Sequence, residues 1–394
     1  MARHRNNVQN SVCGFEEVVE FMDESKKILI VCPASRDIIT FRKNLIFLLR
    51  EKQYKVSTIA FDEEYRNEIE DLGVDHYVVK DDNRGLNPIK ILSLESRYKK
   101  IIKKISPKIV FTFELKPNIF AVKAANSLNI EKIFSMVEGG GDVFGQSGFK
   151  WFIIRNVVCK LLKVALKYSQ KVFFINYDDK SEFINRKIVK EKQTEVIPGV
   201  GIDIEYFSYK PICNYNKFLM VSRMIKAKGV FDYCKAARIV KKNYPNAIFN
   251  YLGGEGTVKI ADIQEFLDDG SINYLGTTKD VRTYYEDCSV QVLPTYYREG
   301  LVLVNVEAGA VGRPTITCNV IGAKDTVKDG YNGFFVKPQD PQDLAEKMIY
   351  FLENPQKIIE MGLNNRKFVE EKFEQKKINN YIINVIENSL EHME

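Results

Sequence analysis

Four charged side chains are spaced so that a regular fold could bring them to one ligand: Arg223, Lys228, Glu299 and Glu307. Arg223 closes the apolar run KFLMVSR, and Lys228 comes five residues later, directly before Gly229 and a helical pattern. A strand end, a helix start and two cations make an anion site, because free N–H groups and the helix dipole add to the side-chain charge. A diphosphate leaving group calls for such a site, since negative charge builds on it as its bond breaks. Glu299 falls in the polar turn Arg298-Glu299-Gly300, and Glu307 lies about one and a half turns into the helix expected from Leu301. Its neighbours Val304, Val306 and Ala308 are apolar, so that carboxylate needs hydroxyls or cations for partners. Taken singly, these are solvated cations, a surface glutamate and a helix glutamate paired with a nearby arginine.

The elements that must hold them follow from the apolar pattern. VQVLPTY (residues 290–296) is a buried strand, Gly312-Arg313-Pro314 stops the helix, and TITCN is the next strand. Strand, turn, helix and strand form one unit of a parallel sheet, whose ligands sit at the carboxyl ends of the strands. Upstream, the same alternation runs through KKILIVCP, a helix over FRKNLIFLLREKQ, KVSTIA, DHYVVK, a helix over NPIKILSLESRYKKIIKK, KIVFTFE, a helix from Pro117, KIFSMVE, KVFFIN and TEVIPG. A polar, turn-rich linker follows Pro198, and a second alternation begins at Lys217. Further helices are expected from Pro341 to about Glu371 and from Gln375 to Glu394.

A chain of 394 residues can hold two cores. Its seven cysteines are scattered singly, without metal spacing, and its three histidines stand at positions 4, 76 and 392. These features predict a reduced, cytoplasmic setting and argue against a histidine metal site, and no cofactor is expected. No secretory signal opens the chain and no apolar run approaches a membrane span. Residues 96–171 carry 15 Lys and Arg against 4 Asp and Glu, whereas residues 208–394 carry 24 of each. Basic charge confined to the first half suggests an anionic surface as partner. No nucleic-acid-binding motif accompanies it.

The arrangement E-G-L-x-x-x-x-x-E, followed by A-x-G-R-P and by DGYNGFFV (residues 329–336), resembles the nucleotide-sugar half of family 4 retaining glycosyltransferases. The resemblance covers the chain from about Lys27 to its end. It implies an α/β chain of the GT-B type, with two Rossmann-like domains whose parallel sheets face each other across a cleft. Residues 1–25 would be an extension, 26–207 the acceptor-binding domain and 208–375 the nucleotide-sugar domain, with the final helix, 376–394, packing back on the first. It also implies roles. Arg223 and Lys228 would be the diphosphate pair, in place of a metal. Glu307 would accept from the ribose hydroxyls. Glu299 and the N–H groups of Gly300, Leu301 and Val302 would hold the donor sugar. Gly254 would let the backbone approach the nucleotide, and the loop of Thr277 and Thr278 would meet the base. Many members carry a histidine at the end of the fifth strand. Here that position is Glu138, in VEGGGDVFG, which becomes a catalytic candidate while any histidine-assisted detail does not carry over.

Two acceptor-side features keep two readings each. ELKPN, with Glu114 and Lys116, either shapes the acceptor cleft or is an ordinary helix start with a proline near its first turn. FKWFIIRNVVCKLLKVALKYSQK joins Trp151 and other apolar residues to Arg155, Lys160, Lys163 and Lys167, which suits an anionic membrane interface or a plain domain helix with a solvated lysine face.

VEGGGDVF, GFK, PGVGID and PTYYREG look like the subgroup that extends polyprenyl-diphosphate-linked sugars in bacterial glycan and capsule assembly, whose best-known members transfer N-acetylgalactosamine. The expected enzyme is a retaining, metal-independent glycosyltransferase that takes a UDP sugar, acts on a glycan or lipid-linked acceptor, and sits peripherally at the inner face of the cell membrane. Two alternatives stand beside it: a UDP-sugar 2-epimerase of similar fold, and a non-catalytic nucleotide-sugar-binding subunit.

Overall fold

The computed structural model describes residues 26–81 and 88–391, so the expected helix over GFEEVVEFMDE and residues 392–394 lie outside the described residues. The first lobe is a seven-stranded parallel sheet in the order β3-β2-β1-β4-β5-β6-β7. Its strands are β1 (Lys27–Val31), β2 (Lys55–Ala60), β3 (Asp75–Val78), β4 (Ile109–Phe113), β5 (Lys132–Val137), β6 (Lys171–Phe174) and β7 (Thr194–Val196). Every residue of β4 and β5 is buried. Helices cover both faces, so these strands need continuous apolar runs rather than alternation.

The second lobe is a six-stranded parallel sheet in the order β10-β9-β8-β11-β12-β13. It consists of β8 (Lys217–Val221), β9 (Ile248–Leu252), β10 (Asn273–Tyr274), β11 (Val290–Leu293), β12 (Thr315–Cys318) and β13 (Gly333–Val336). In both orders the strand after the central one lies across the sheet from its predecessor. That reversal opens a crevice at the carboxyl ends of the strands, where ligands of such sheets bind.

The helices that matter below are α1 (Lys43–Glu51), α2 (Leu115–Asn126), α3 (Phe149–Leu166), α4 (Tyr177–Asn185), α5 (Val230–Lys241), α6 (Leu303–Val311), α7 (Pro341–Glu353), α8 (Pro355–Lys372) and α9 (Gln375–Glu391). Three boundaries differ from those expected. The helix placed from Pro117 begins two residues earlier, at Leu115, with the proline inside its first turn, where its missing N–H leaves no bond unmade. The helix placed from Leu301 begins at Leu303, because Leu301 and Val302 are held in the preceding turn. The helix expected over 341–371 is broken at Asn354, since Pro355 disfavours helical geometry in the residue before it.

The chain crosses between lobes twice, at neighbouring points. Ile202 N–H donates to the Phe373 carbonyl at 2.7 Å, and Gln375 N–H to the Ile202 carbonyl at 3.0 Å. After the second crossing, α9 buries Ile378, Ile382, Ile383 and Ile386 in the same core as Ile28 and Ile30 of β1.

Candidate active site

Strand ends of both lobes meet at one cleft of about 300 Å³, lined among others by Glu114 and Glu138 from the first lobe and Glu299, Gly300 and Leu301 from the second. The turn after β11 is fixed by close backbone approach. A Cβ on Gly300 would stand 2.0 Å from the Glu138 carbonyl oxygen, and one on Gly322 would stand 2.4 Å from the Glu299 carbonyl oxygen, so both positions exclude a side chain. Val302 N–H donates to the Gly322 carbonyl at 3.1 Å. Its amide is therefore committed inside the lobe, which corrects the expectation that it would hold a ligand hydroxyl. Leu301 turns its side chain onto Gly199 of the linker.

Lys228 is brought to this turn by the end of β8. A Cβ on Gly229, at φ 82°, would meet the Pro294 carbonyl oxygen at 2.3 Å, and Tyr296 N–H donates to the Ala227 carbonyl at 2.8 Å. Lys228 closes a short helical turn (Lys226–Lys228), one residue before Gly229 caps α5. Its ammonium lies 2.6 Å from the Glu299 carboxylate.

Arg223 is exposed at the end of β8, beside a glycine ledge. A Cβ on Gly253 would lie 1.8 Å from the Ser222 carbonyl oxygen, Met224 N–H donates to the Gly254 carbonyl at 2.8 Å, and Gly253 N–H donates to that of Gly276 at 2.8 Å. A Cβ on Gly254 would stand 3.4 Å from Thr277 Cγ2, so Arg223, Gly254 and Thr277 border one shelf. Thr277 is exposed, whereas the Thr278 hydroxyl donates to the Asp280 carbonyl at 2.8 Å and accepts from the Asp280 N–H, closing its own loop.

Glu307 lies on the second turn of α6 and accepts from the Tyr285 hydroxyl at 3.0 Å. Burial pushes its carboxyl up to about 7, against the lowering effect of that hydrogen bond.

On the first lobe, Glu138 pairs with Arg42, a cation that sequence reasoning missed. Arg42 ends a short π-helical turn (Ile38–Arg42), is 3% exposed and lies 4.1 Å over the Phe113 ring. The one available signal was its spacing. It continues the apolar series Leu45 and Leu49 back toward Ile38, where a charge must find a buried partner. Glu114, at φ 70°, stands nearby. Burial first, and the charge of Glu138 second, raise it to about 8. Lys116 is not turned to the cleft, because its ammonium lies 2.8 Å from the nearly buried Asp81 carboxylate.

Helix α3 buries Leu162, Ala165 and Leu166, while Phe149 is 80% and Phe152 60% exposed, with Ile153, Val157 and Val164 also in solvent. Lys160, Lys163 and Lys167 are exposed and Trp151 is half-buried. Arg155 departs from this face: its guanidinium donates to the Val143 carbonyl at 2.8 Å and to that of Gln146, bracing the glycine loop after β5. Among the described residues no helix is long and apolar enough to cross a membrane, and no group of three or more His, Cys, Asp or Glu could hold a metal ion.

The family description Glycosyl transferases group 1 matches residues 205–371, and Glycosyl transferase 4-like matches residues 27–176. The chain is 27% identical over 350 residues to the N,N'-diacetylbacillosaminyl-diphospho-undecaprenol alpha-1,3-N-acetylgalactosaminyltransferase of Campylobacter jejuni, covering 84% of this chain and 90% of the relative. It is 26% identical over 331 residues to the UDP-Gal:alpha-D-GlcNAc-diphosphoundecaprenol alpha-1,3-galactosyltransferase of Escherichia coli, covering 77% and 81% respectively. Its fold is similar to that of Anabaena HepE in complex with UDP, with a TM-score of 0.74 at 17% identity over 92% of this chain and all of that one.

Proposed function

Because the chain belongs to the group 1 glycosyltransferases, with a family-4-like first lobe and the GT-B arrangement of two Rossmann-like domains, we propose that it moves a sugar from a UDP sugar to a polyprenyl-diphosphate-linked acceptor. The observation that carries this reading is a cleft lined by both lobes, with Glu299 on one wall and Glu114 and Glu138 on the other, and with Lys228 paired to that Glu299. The two relatives described above act, by their names, on diphospho-undecaprenol-linked sugars. The first lobe is the acceptor side and the second the donor side.

In this proposal Arg223 and Lys228 take the growing charge of the diphosphate, so no metal ion is required. Glu307 accepts from the ribose hydroxyls, with Gly254 and Thr277 bordering the nucleotide shelf. Glu299 and the Gly300 and Leu301 amides hold the donor sugar, and Glu299 stabilises positive charge at the anomeric carbon. The bond from anomeric carbon to diphosphate oxygen breaks and the acceptor oxygen bonds to the same face of that carbon. The departing diphosphate oxygen receives the acceptor proton, and configuration is retained. Helix α3 supports peripheral contact with the inner membrane face, because exposed aromatic residues and three exposed lysines lie along one helix.

The test is incubation of the protein with UDP-N-acetylglucosamine, UDP-N-acetylgalactosamine, UDP-galactose and UDP-glucose, together with membrane-extracted lipid-linked sugar. An α-linked lipid product, formed at the same rate with EDTA present, is expected. Epimerised nucleotide, or binding without either product, would replace the reading with one of the two alternatives.

A further inference from the structure

The turn that carries Glu299 is held from the opposite lobe. Its preceding residue, Arg298, directs its guanidinium to two carboxylates of α4, pairing with Asp179 and lying 2.6 Å from Glu182. Its following residue, Gly300, offers its carbonyl to Asn176 Nδ2, which donates at 3.0 Å. Asn176 and Asp179 form one rigid unit: Asn176 Nδ2 donates to Asp179 Oδ2 at 2.9 Å, and Asp179 N–H donates to Asn176 Oδ1 at 2.7 Å, capping α4. The two are 2% and 0% exposed. Two satisfied, buried side chains at a helix start are a stiff reference point. One guanidinium nitrogen, Nη2, meets both carboxylates, a charge-assisted contact stronger than a neutral one.

We infer that Asp179 and Asn176 are positioning residues for Glu299: acting through Arg298 and the Gly300 carbonyl, the acceptor lobe sets the register of the donor-sugar turn. The inference rests on the reading of Glu299 given above. A turn gripped on both sides of its working residue cannot shift that carboxylate without breaking one of the two grips. Separation of the lobes would break both, so the donor-sugar contact and lobe closure are completed together. A second ion pair crosses the same interface without touching the turn, since Lys324 lies 2.8 Å from Asp178. It provides an internal control for lobe docking in general.

The experiment compares Arg298→Ala, Asp179→Asn, Lys324→Ala and Glu299→Ala. For each, kcat and KM are measured with the fastest donor of the panel, together with the Kd of UDP by calorimetry and the thermal midpoint. Arg298→Ala and Asp179→Asn should each lower kcat at least tenfold with UDP affinity unchanged within threefold, and the double variant should be no slower than Arg298→Ala. Lys324→Ala should stay within threefold of wild type. Arg298→Lys, which keeps one carboxylate contact, should recover part of the lost kcat and covers the case in which Asp179→Asn does not fold. Arg298→Ala and Asp179→Asn within threefold of wild type, beside an inactive Glu299→Ala, would overturn the positioning role and leave the site intact. Full activity in Glu299→Ala would remove the site itself. Equal losses in Lys324→Ala and Arg298→Ala, or in Arg298→Lys and Arg298→Ala, would also reject the inference, reducing the contacts to general docking.

Discussion

Lys228 and Glu299, the cation assigned to the diphosphate and the carboxylate assigned to the sugar, lie 2.6 Å apart, each holding the other's charge. Under that assignment a donor entering the cleft would take both. In the proposed complex the phosphate oxygens would replace the carboxylate at Lys228, and the sugar hydroxyls would replace the ammonium at Glu299. Removing either partner leaves the other part-buried and unpaired, which costs more than the pair itself contributes. Lys228→Ala should weaken UDP binding at least tenfold by calorimetry, and Glu299→Ala should spare UDP binding. Both should lose most turnover while circular dichroism stays that of the wild type.

Glu307 gives a pH dependence of known sign. Its carboxyl is raised from 4.5 to about 7, so the folded state binds more protons than the unfolded one between those values. The stability this contributes is full below about 4.5 and is lost as pH rises through about 7. Acceptance from ribose hydroxyls changes the other way, because the ionised form is the stronger acceptor. UDP affinity should rise between pH 6 and 8 by several-fold more in the wild type than in Glu307→Gln, which keeps only the contribution of the UDP terminal phosphate ionising at about pH 6. A wild-type pH dependence no steeper than that of Glu307→Gln would contradict the ribose assignment.

Gly300 tests the contact between the lobes. With the Glu138 carbonyl 2.0 Å from where a Cβ would stand, Gly300→Ala must push the turn off the first lobe. Transfer should fall by at least tenfold and the radius of gyration by small-angle scattering should grow, while UDP binding, assigned above to β8 and α6, should remain.

The outward face of α3 predicts membrane binding that depends on charge. Each lysine near an anionic surface contributes about 1 kcal/mol, so changing Lys160, Lys163 and Lys167 together to Glu should lower binding to phosphatidylglycerol vesicles by more than about 100-fold in a sedimentation assay. Phe149→Ser with Phe152→Ser should weaken binding to neutral and anionic vesicles alike, because burial of apolar area does not depend on headgroup charge. Unchanged sedimentation in both would leave α3 an ordinary surface helix.

Strands were legible wherever burial on both faces demanded an unbroken apolar run, as in IVFTF and KIFSMV. The Lys228 and Glu299 turns were legible because glycines and charges interrupt such runs. Arg42 was not, because its partner Glu138 lies 96 positions away and only the fold brings them together. The same holds for Arg298, whose meaning comes from α4 of the other lobe. The Val302 amide was misjudged for a related reason: the carbonyl that takes it belongs to Gly322, twenty positions along the chain. Local pattern determines which segments become regular, but the donors and acceptors left at their ends are settled by neighbours it does not contain.

The four isoleucines of α9 carry a consequence for biosynthesis. The first lobe lacks part of its interior until α9 has been made, so its core is completed only after the second lobe has been made. A nascent chain halted near residue 374 would expose the apolar surface that Ile28 and Ile30 share with those residues. Such a chain would be a client for chaperones rather than a half-enzyme, because its first lobe matures only once α9 is in place.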